Sequence, residues 1–314
     1  MARKLTPPPV RPVTASPPLL PRGRAAVLER LEQSGLFDRA GAIAHGLRHG
    51  RHAAASPGRS AEFFDFRPYE PGDPPARVDW RLFGRTDRLF IRRRRHESQQ
   101  SLRLVVDASA SMHFAAIEPA SAEPTKLRVA LEVAAALALV TVRRGDRAAL
   151  TPLHPADPAT APAADLPGLH RIIAALERAE HGDENSAGLA PGLAACTALG
   201  RGGAVTIITD GLDDTALLAD PLARLAFGPP KAAITVIQIL TPDELHPPSL
   251  SGRFTDPEHG VTVTTNTDDV SDRYAELLSA QIDSLRNLVR RLGGRHHLVR
   301  TTDDPVQIVR AALG

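Results

Sequence analysis

A chain of 314 residues, 42% of them hydrophobic, has enough apolar material for one large α/β domain or two smaller ones. Its formal net charge of +2 singles out no partner, and its one cysteine, Cys196, excludes an internal disulfide and a cysteine-based zinc site. Lysine occurs only at Lys4, Lys126 and Lys231 among 38 basic residues. Together with the many Ala and Pro this reads as a codon bias, so arginine richness is discounted as evidence for nucleic acid.

Residues 1–23 are rich in proline (PPPVRPVTASPPLLP) and predict an extended, disordered lead. They carry no apolar core segment of the kind a signal peptide needs. The longest apolar run, VAAALALVTV at 133–142, is about half the length of a membrane helix. The expectation is a cytoplasmic chain in a reducing compartment. From Arg24 to His52 the residues Val27, Leu28, Leu31, Leu36, Ile43 and Leu47 recur at helical spacing, which predicts two short helices broken near Ser34-Gly35. Residues 53–60 (AAASPGRS) read as a linker. In 61–98, EFFDFRPY predicts a strand, Pro71-Gly72 a type II turn, and RLFIRRRRHES a second strand. Residues 24–100 are thus expected to form a small helical and β-rich module packed on the main domain, with Trp80 as a core anchor.

From 102 onward strands and helices alternate. LRLVVD (102–107), RAALTPL (147–153), AVTIITD (204–210), AAITVIQIL (232–240) and HHLVRT are expected strands. Helices are expected over 126–144, 166–179, 186–199, 212–227 with an interruption near Pro221, 270–293, and DPVQIVRAAL with Asp304 as cap and Pro305 at its first position. A polar hairpin insertion is expected near 246–270. This order predicts an α/β fold over 101–314 with a doubly wound, mostly parallel sheet. Ligands on such sheets bind beyond the carboxyl ends of the strands.

Strand 102–107 ends in Asp107, with Ser109 and Ser111 following in VVDASASM. Strand 204–210 ends in Thr209-Asp210-Gly211. If the two strands are neighbours, the carboxylates meet, and two such charges left together raise one pKa unless a cation intervenes. Carboxylate and hydroxyl oxygens are hard ligands that suit Mg²⁺ or Mn²⁺ rather than zinc. The competing reading is a turn in which Asp107 and Ser111 cap the next helix and Asp-Gly supplies a sharp bend.

VVDASASM followed by IITDG resembles the von Willebrand factor A domain and its metal-ion-dependent adhesion site. EFFDFRPYEPGDPPARVDW, the basic strand after it, LTPDELHPP…GRF and HHLVRTTDDP resemble the bacterial domain-of-unknown-function 58 proteins, over about residues 24–314. The resemblance implies Asp107, Ser109 and Ser111 as first-loop ligands and Asp210 as the third-loop ligand. The second-loop threonine is replaced in HGDENSAGL, where Ser186 is the candidate and Ala187 the competing position. Pro74 stands where the family carries an acid, and the antiparallel edge strand is degraded into HPADPATAPAAD. In that family the gene often lies beside a MoxR-type AAA+ ATPase. The resemblance therefore implies a non-enzymatic, Mg²⁺- or Mn²⁺-dependent protein-interaction module. It would take an Asp or Glu carboxylate from such a partner, in assembly or maturation of a complex.

Two alternatives stay open. A metal-dependent hydrolase or phosphatase needs a general base, and no G-x-S-x-G, H-E-x-x-H or P-loop motif occurs. A nucleic-acid module would use the 81–95 arginines, chiefly Arg92 to Arg95, which also read as a solvated strand end. His45, His49 and His52 read as surface histidines, His296-His297 as half-buried strand residues, and Asp213 and Asp214 as caps of the following helix.

Overall fold

The computed structural model describes residues 35–49, 64–70, 73, 78–94, 100–115, 123–153, 160–180, 189–198, 203–255 and 262–314. The proline-rich lead, the first of the two helices expected before Gly35, the Pro71-Gly72 turn, Pro74 and Arg95 lie outside these residues. Helix α1 (Gly35–His49) buries Leu36, Ala40, Ile43 and Ala44, one stripe at helical spacing. These four join the main core, so this helix packs as part of the main body. His45 on its opposite side is exposed.

Strands β1 (Phe64–Pro68) and β2 (Phe90–Arg94) pair antiparallel, as the two aromatic-flanked runs predict. Between them the chain forms a short helix, α2 (Trp80–Thr86), that the sequence reading did not expect. Asp79 caps it: Oδ1 accepts from the backbone N–H groups of Arg81 and Leu82, both at 3.0 Å. Trp80 is not a core anchor. As the first helical residue it points outward, is 62% exposed, and stacks edge-on against Phe83.

The main sheet has five strands, all parallel: β3 (Ser101–Val106), β4 (Arg147–Leu150), β5 (Gly203–Thr209), β6 (Ala232–Leu240) and β9 (Arg295–Arg300). They lie in the order β4-β3-β5-β6-β9. The chain therefore starts in the second position, steps outward to β4 and then reverses to β5. This makes the β3/β5 boundary the topological switch point of a doubly wound sheet, and folds of this kind bind ligands at the carboxyl ends beside that point. The degraded edge strand survives as one antiparallel bridge, Ala148 to Ala163.

Alternate residues of each buried strand feed two cores. Leu102, Leu104 and Val106 of β3 face α1, α3 (Lys126–Arg143), α4 (Leu166–Glu180) and α9 (Pro305–Leu313). Val105, Val205, Ile207 and Val236 face α5 (Leu189–Ala198), α6 (Thr215–Phe227) and α8 (Thr267–Arg291). Helix α6 runs unbroken through Pro221, against the expected interruption. Leu218, Leu222 and Leu225 bury one face on the core, and that packing holds the helix across the missing N–H. Asp214 caps it, accepting from Ala216 N–H at 2.9 Å, and Asp304 caps α9 in the same way with Pro305 next. A four-residue turn, α7 (Pro242–Leu245), leads to the expected hairpin, β7 (Ser251–Thr255) with β8 (Thr262–Asn266). No helix among the described residues is long and apolar enough to cross a membrane.

Candidate functional site at the carboxyl edge of the sheet

Pairing of β3 with β5 brings Asp107 and Asp210 to one edge. Asp107 N–H extends the β3/β5 ladder by donating to Ile208 O at 2.8 Å. Each oxygen of its carboxylate accepts from a protein donor. Oδ1 accepts from Ser109 N–H at 3.0 Å, and Oδ2 accepts from the Thr209 hydroxyl at 2.7 Å. Thus Asp107 makes both the local turn and a bond across to β5.

Ser109 precedes a 3₁₀ turn, Ala110–His113, but its side chain makes no capping bond to that turn. Its Oγ lies 3.1 Å from Ser111 Oγ, and the Ser111 hydroxyl donates to Asp210 Oδ2 at 2.7 Å. A hydroxyl has one hydrogen, so Ser109 must donate to Ser111. The result is a directed chain, Ser109 to Ser111 to Asp210. Asp210 Oδ1 accepts from Leu212 N–H at 3.2 Å. The bend after Asp210 needs Gly211, whose φ of +67° suits glycine and where a Cβ would come within 2.6 Å of Leu285 Cδ2. Gln238 Nε2 fixes Asp210 O at 2.8 Å, and Gln281 Nε2 ties down Gly211 O at 3.0 Å and Asp213 O at 2.6 Å.

The residue that completes the site is Lys126, the first residue of α3. It is fully buried. Its Nζ lies 2.8 Å from Asp210 Oδ2 and 2.5 Å from Glu244 Oε1. The Phe114 ring lies 5.9 Å from the same atom. Burial pulls the lysine pKa down, and the charges of Asp210 and Glu244 more than restore it, leaving it above the ordinary value. The ammonium therefore stays charged. Glu244 serves two ends: Oε1 faces Lys126, while Oε2 accepts from Thr241 N–H at 2.8 Å in the capping box of α7. Asp107 has no such cation. Burial, then the charge on Asp210, push it up to about 6 against the hydrogen bonds from Thr209 and Ser109.

Of the expected ligands, Asp107, Ser109, Ser111 and Asp210 come together, and Ser186 lies outside the described residues. Their oxygens are hard, as a Mg²⁺ or Mn²⁺ site requires. As arranged, however, Asp210 Oδ2 does not fit a divalent cation, because that oxygen already holds the Ser111 hydroxyl and the Lys126 ammonium. Every carboxylate oxygen of Asp107 and Asp210 already accepts from a protein donor, and one of those donors carries a full positive charge.

Lys126, Glu244, Thr209 and the two glutamines were not singled out by the sequence. Lys126 had a signal: it is one of three lysines in an arginine-biased chain, and it opens a largely apolar helix. Glu244 had another, the Thr-x-x-Glu spacing of a capping box. The arginines of the alternative nucleic-acid reading divide. Arg81, Arg85 and Arg88 are exposed, and the side chains of Arg92 to Arg94 lie outside the described residues.

Fold and site define a doubly wound α/β domain with a polar centre at its switch point. The sequence profile of the family named "Protein of unknown function DUF58" matches residues 65–284, and the chain belongs to that family. It is 35% identical over 102 residues to "Uncharacterized protein Rv1480" of Mycobacterium tuberculosis (strain ATCC 25618 / H37Rv) and to "Uncharacterized protein Mb1516" of Mycobacterium bovis. Each match covers 32% of this chain and 31% of the relative, so the chain spans about a third of the length of the relatives it matches. Similar solved structures include an aerotolerance-related membrane protein from Bacteroides fragilis (TM-score 0.44, 15% identity, 68% of this chain and 96% of that one). Others are the conserved hypothetical protein BatB from Bacteroides thetaiotaomicron (0.44, 13%, 68% and 97%) and a von Willebrand factor type A structure from Catenulispora acidiphila (0.39, 15%, 68% and 41%).

Proposed function

We propose that the chain is a non-enzymatic protein-interaction module whose docking point is the rim at the carboxyl ends of β3 and β5. The observation that carries this is the state of the polar groups there. The Ser109 and Ser111 hydroxyls are committed to each other and to Asp210, so they rigidify two loops instead of forming a nucleophile with a base. The rim offers an apolar contact: Leu212, directly after the Asp210-Gly211 bend, is 42% exposed on a loop anchored by Gln281. A rigid polar floor beside an exposed apolar residue suits recognition of another protein surface.

The family resemblance points to a MoxR-type AAA+ ATPase as the partner, in assembly or maturation of a larger complex. Docking through Mg²⁺ or Mn²⁺, as the resemblance implies, is a second reading, favoured by the gathering of hard oxygens. It requires Lys126 to leave Asp210. A pull-down of that ATPase, run in Mg²⁺ and in chelator, tests the proposal: retention in both supports docking without a metal. Retention only in Mg²⁺ supports the second reading, and loss in both removes the ATPase as partner.

A further inference from the structure

The positive charge at this centre is the Lys126 ammonium, set against Asp210 and Glu244. Lys126 sits at the first residue of an 18-residue helix, where the helix dipole disfavours a cation. It is also fully buried, which disfavours any charge. Both penalties are met by the same two carboxylates, Asp210 at 2.8 Å and Glu244 at 2.5 Å. The three charged groups come from three separate segments: Lys126 from the start of α3, Asp210 from the loop after β5 and Glu244 from the turn α7. The ammonium thus ties the loop after β5 to the turn that follows the carboxyl end of β6.

We propose that Lys126 is the resident cation of this centre and that it excludes Mg²⁺ and Mn²⁺ from Asp107, Ser109, Ser111 and Asp210. A divalent ion placed on Asp210 Oδ2 meets a fixed positive charge bonded to the same oxygen, in a buried setting where repulsion is poorly screened. It also has to break the Ser111 bond to that oxygen and compete with the Ser109 and Thr209 donors on Asp107. The Lys126 ammonium cannot move into solvent without stranding Glu244 beside Asp210. The inference concerns the charge balance of the site and stands whether or not a partner docks there.

The test is Mn²⁺ binding by the full chain, read from the loss of the free Mn²⁺ electron-spin-resonance signal. Wild type is expected to leave the signal unchanged and to melt at the same temperature in Mg²⁺ and in chelator. Lys126→Met, which keeps the packing and removes the charge, is expected to gain Mn²⁺ affinity by about tenfold or more. Wild-type uptake of Mn²⁺ that Asp210→Asn abolishes overturns the proposal, and this arm needs no folded lysine variant. A folded Lys126→Met chain with no gain over wild type overturns it too. No partner enters the measurement, so its failure is distinct from a failure of the docking proposal.

Discussion

Removing the Lys126 charge probes the site at its strongest interaction. At an effective dielectric of about 20, an ion pair at such distances is worth about 6 kcal/mol in Coulomb energy, and Lys126 makes two. Most of that offsets the cost of burying the three charges. The measurable quantity is the cost of stranding the partners, which for a buried pair is about 3–5 kcal/mol. Lys126→Met keeps the aliphatic contacts and should lower the melting temperature by roughly 10 °C. The assay is a double-mutant cycle by chemical denaturation, with Asp210→Asn as the second arm. Because Asp210→Asn removes one of the acids left behind, the double variant should be more stable than the sum of the singles predicts, by about 2 kcal/mol or more. Additive single effects, or a Lys126→Met chain that melts with wild type, would refute the assignment of Lys126 as the counter-charge.

Other outcomes follow from the same geometry. Glu244→Gln should cost less than Lys126→Met, about 1–2 kcal/mol, because Asp210 still pairs with the lysine while the one amide oxygen can serve either Lys126 or the capping box; denaturant titration measures it. Gly211→Ala should destabilise by roughly 2–4 kcal/mol, from the positive φ and the contact with Leu285, read as a shift in the denaturation midpoint. Asp107 has a folded pKa of about 6 against an ordinary 3.8, so in that window the folded chain holds a proton the unfolded chain has released. Its burial therefore costs stability above about pH 6, by about 3 kcal/mol, and the cost is relieved as pH falls toward 3.8. Asp107→Asn should lack this term, so the stability of wild type relative to the variant should rise on acidification. His296 works the other way. Burial, then Arg286, His297 and Arg290, pull it down to about 4, and it loses stability as pH falls from 6.5. That loss is common to both chains and cancels in the comparison.

Much of the fold was legible because it rests on local patterns. The β-branched runs of β5 and β6 can only be buried strands, and the alternation with amphipathic helices leaves a parallel sheet as the way to cover them. Asp107 and Asp210 were legible for the same reason: each is the first polar residue after such a run. Trp80 misled because aromatic density was taken as burial, while a buried Asp79 cap turned that residue into the exposed start of a helix. Pro221 misled because local chain chemistry was weighed without the tertiary packing of Leu218 and Leu222. Lys126 and Glu244 escaped because their meeting is wholly non-local. They lie 118 positions apart, and periodicity carries no information about an ion pair that only the completed sheet brings together.

The central claim, that the β3/β5 rim is a docking point for a protein, is tested most directly at Leu212. Its side chain is exposed, so Leu212→Glu should leave folding unchanged while placing a charge at the rim. Immobilised wild-type and Leu212→Glu chains, presented with the MoxR-type ATPase of the same organism in chelator, should differ by about tenfold or more in affinity, with wild type the tighter. Equal binding by two chains of equal stability would contradict the account.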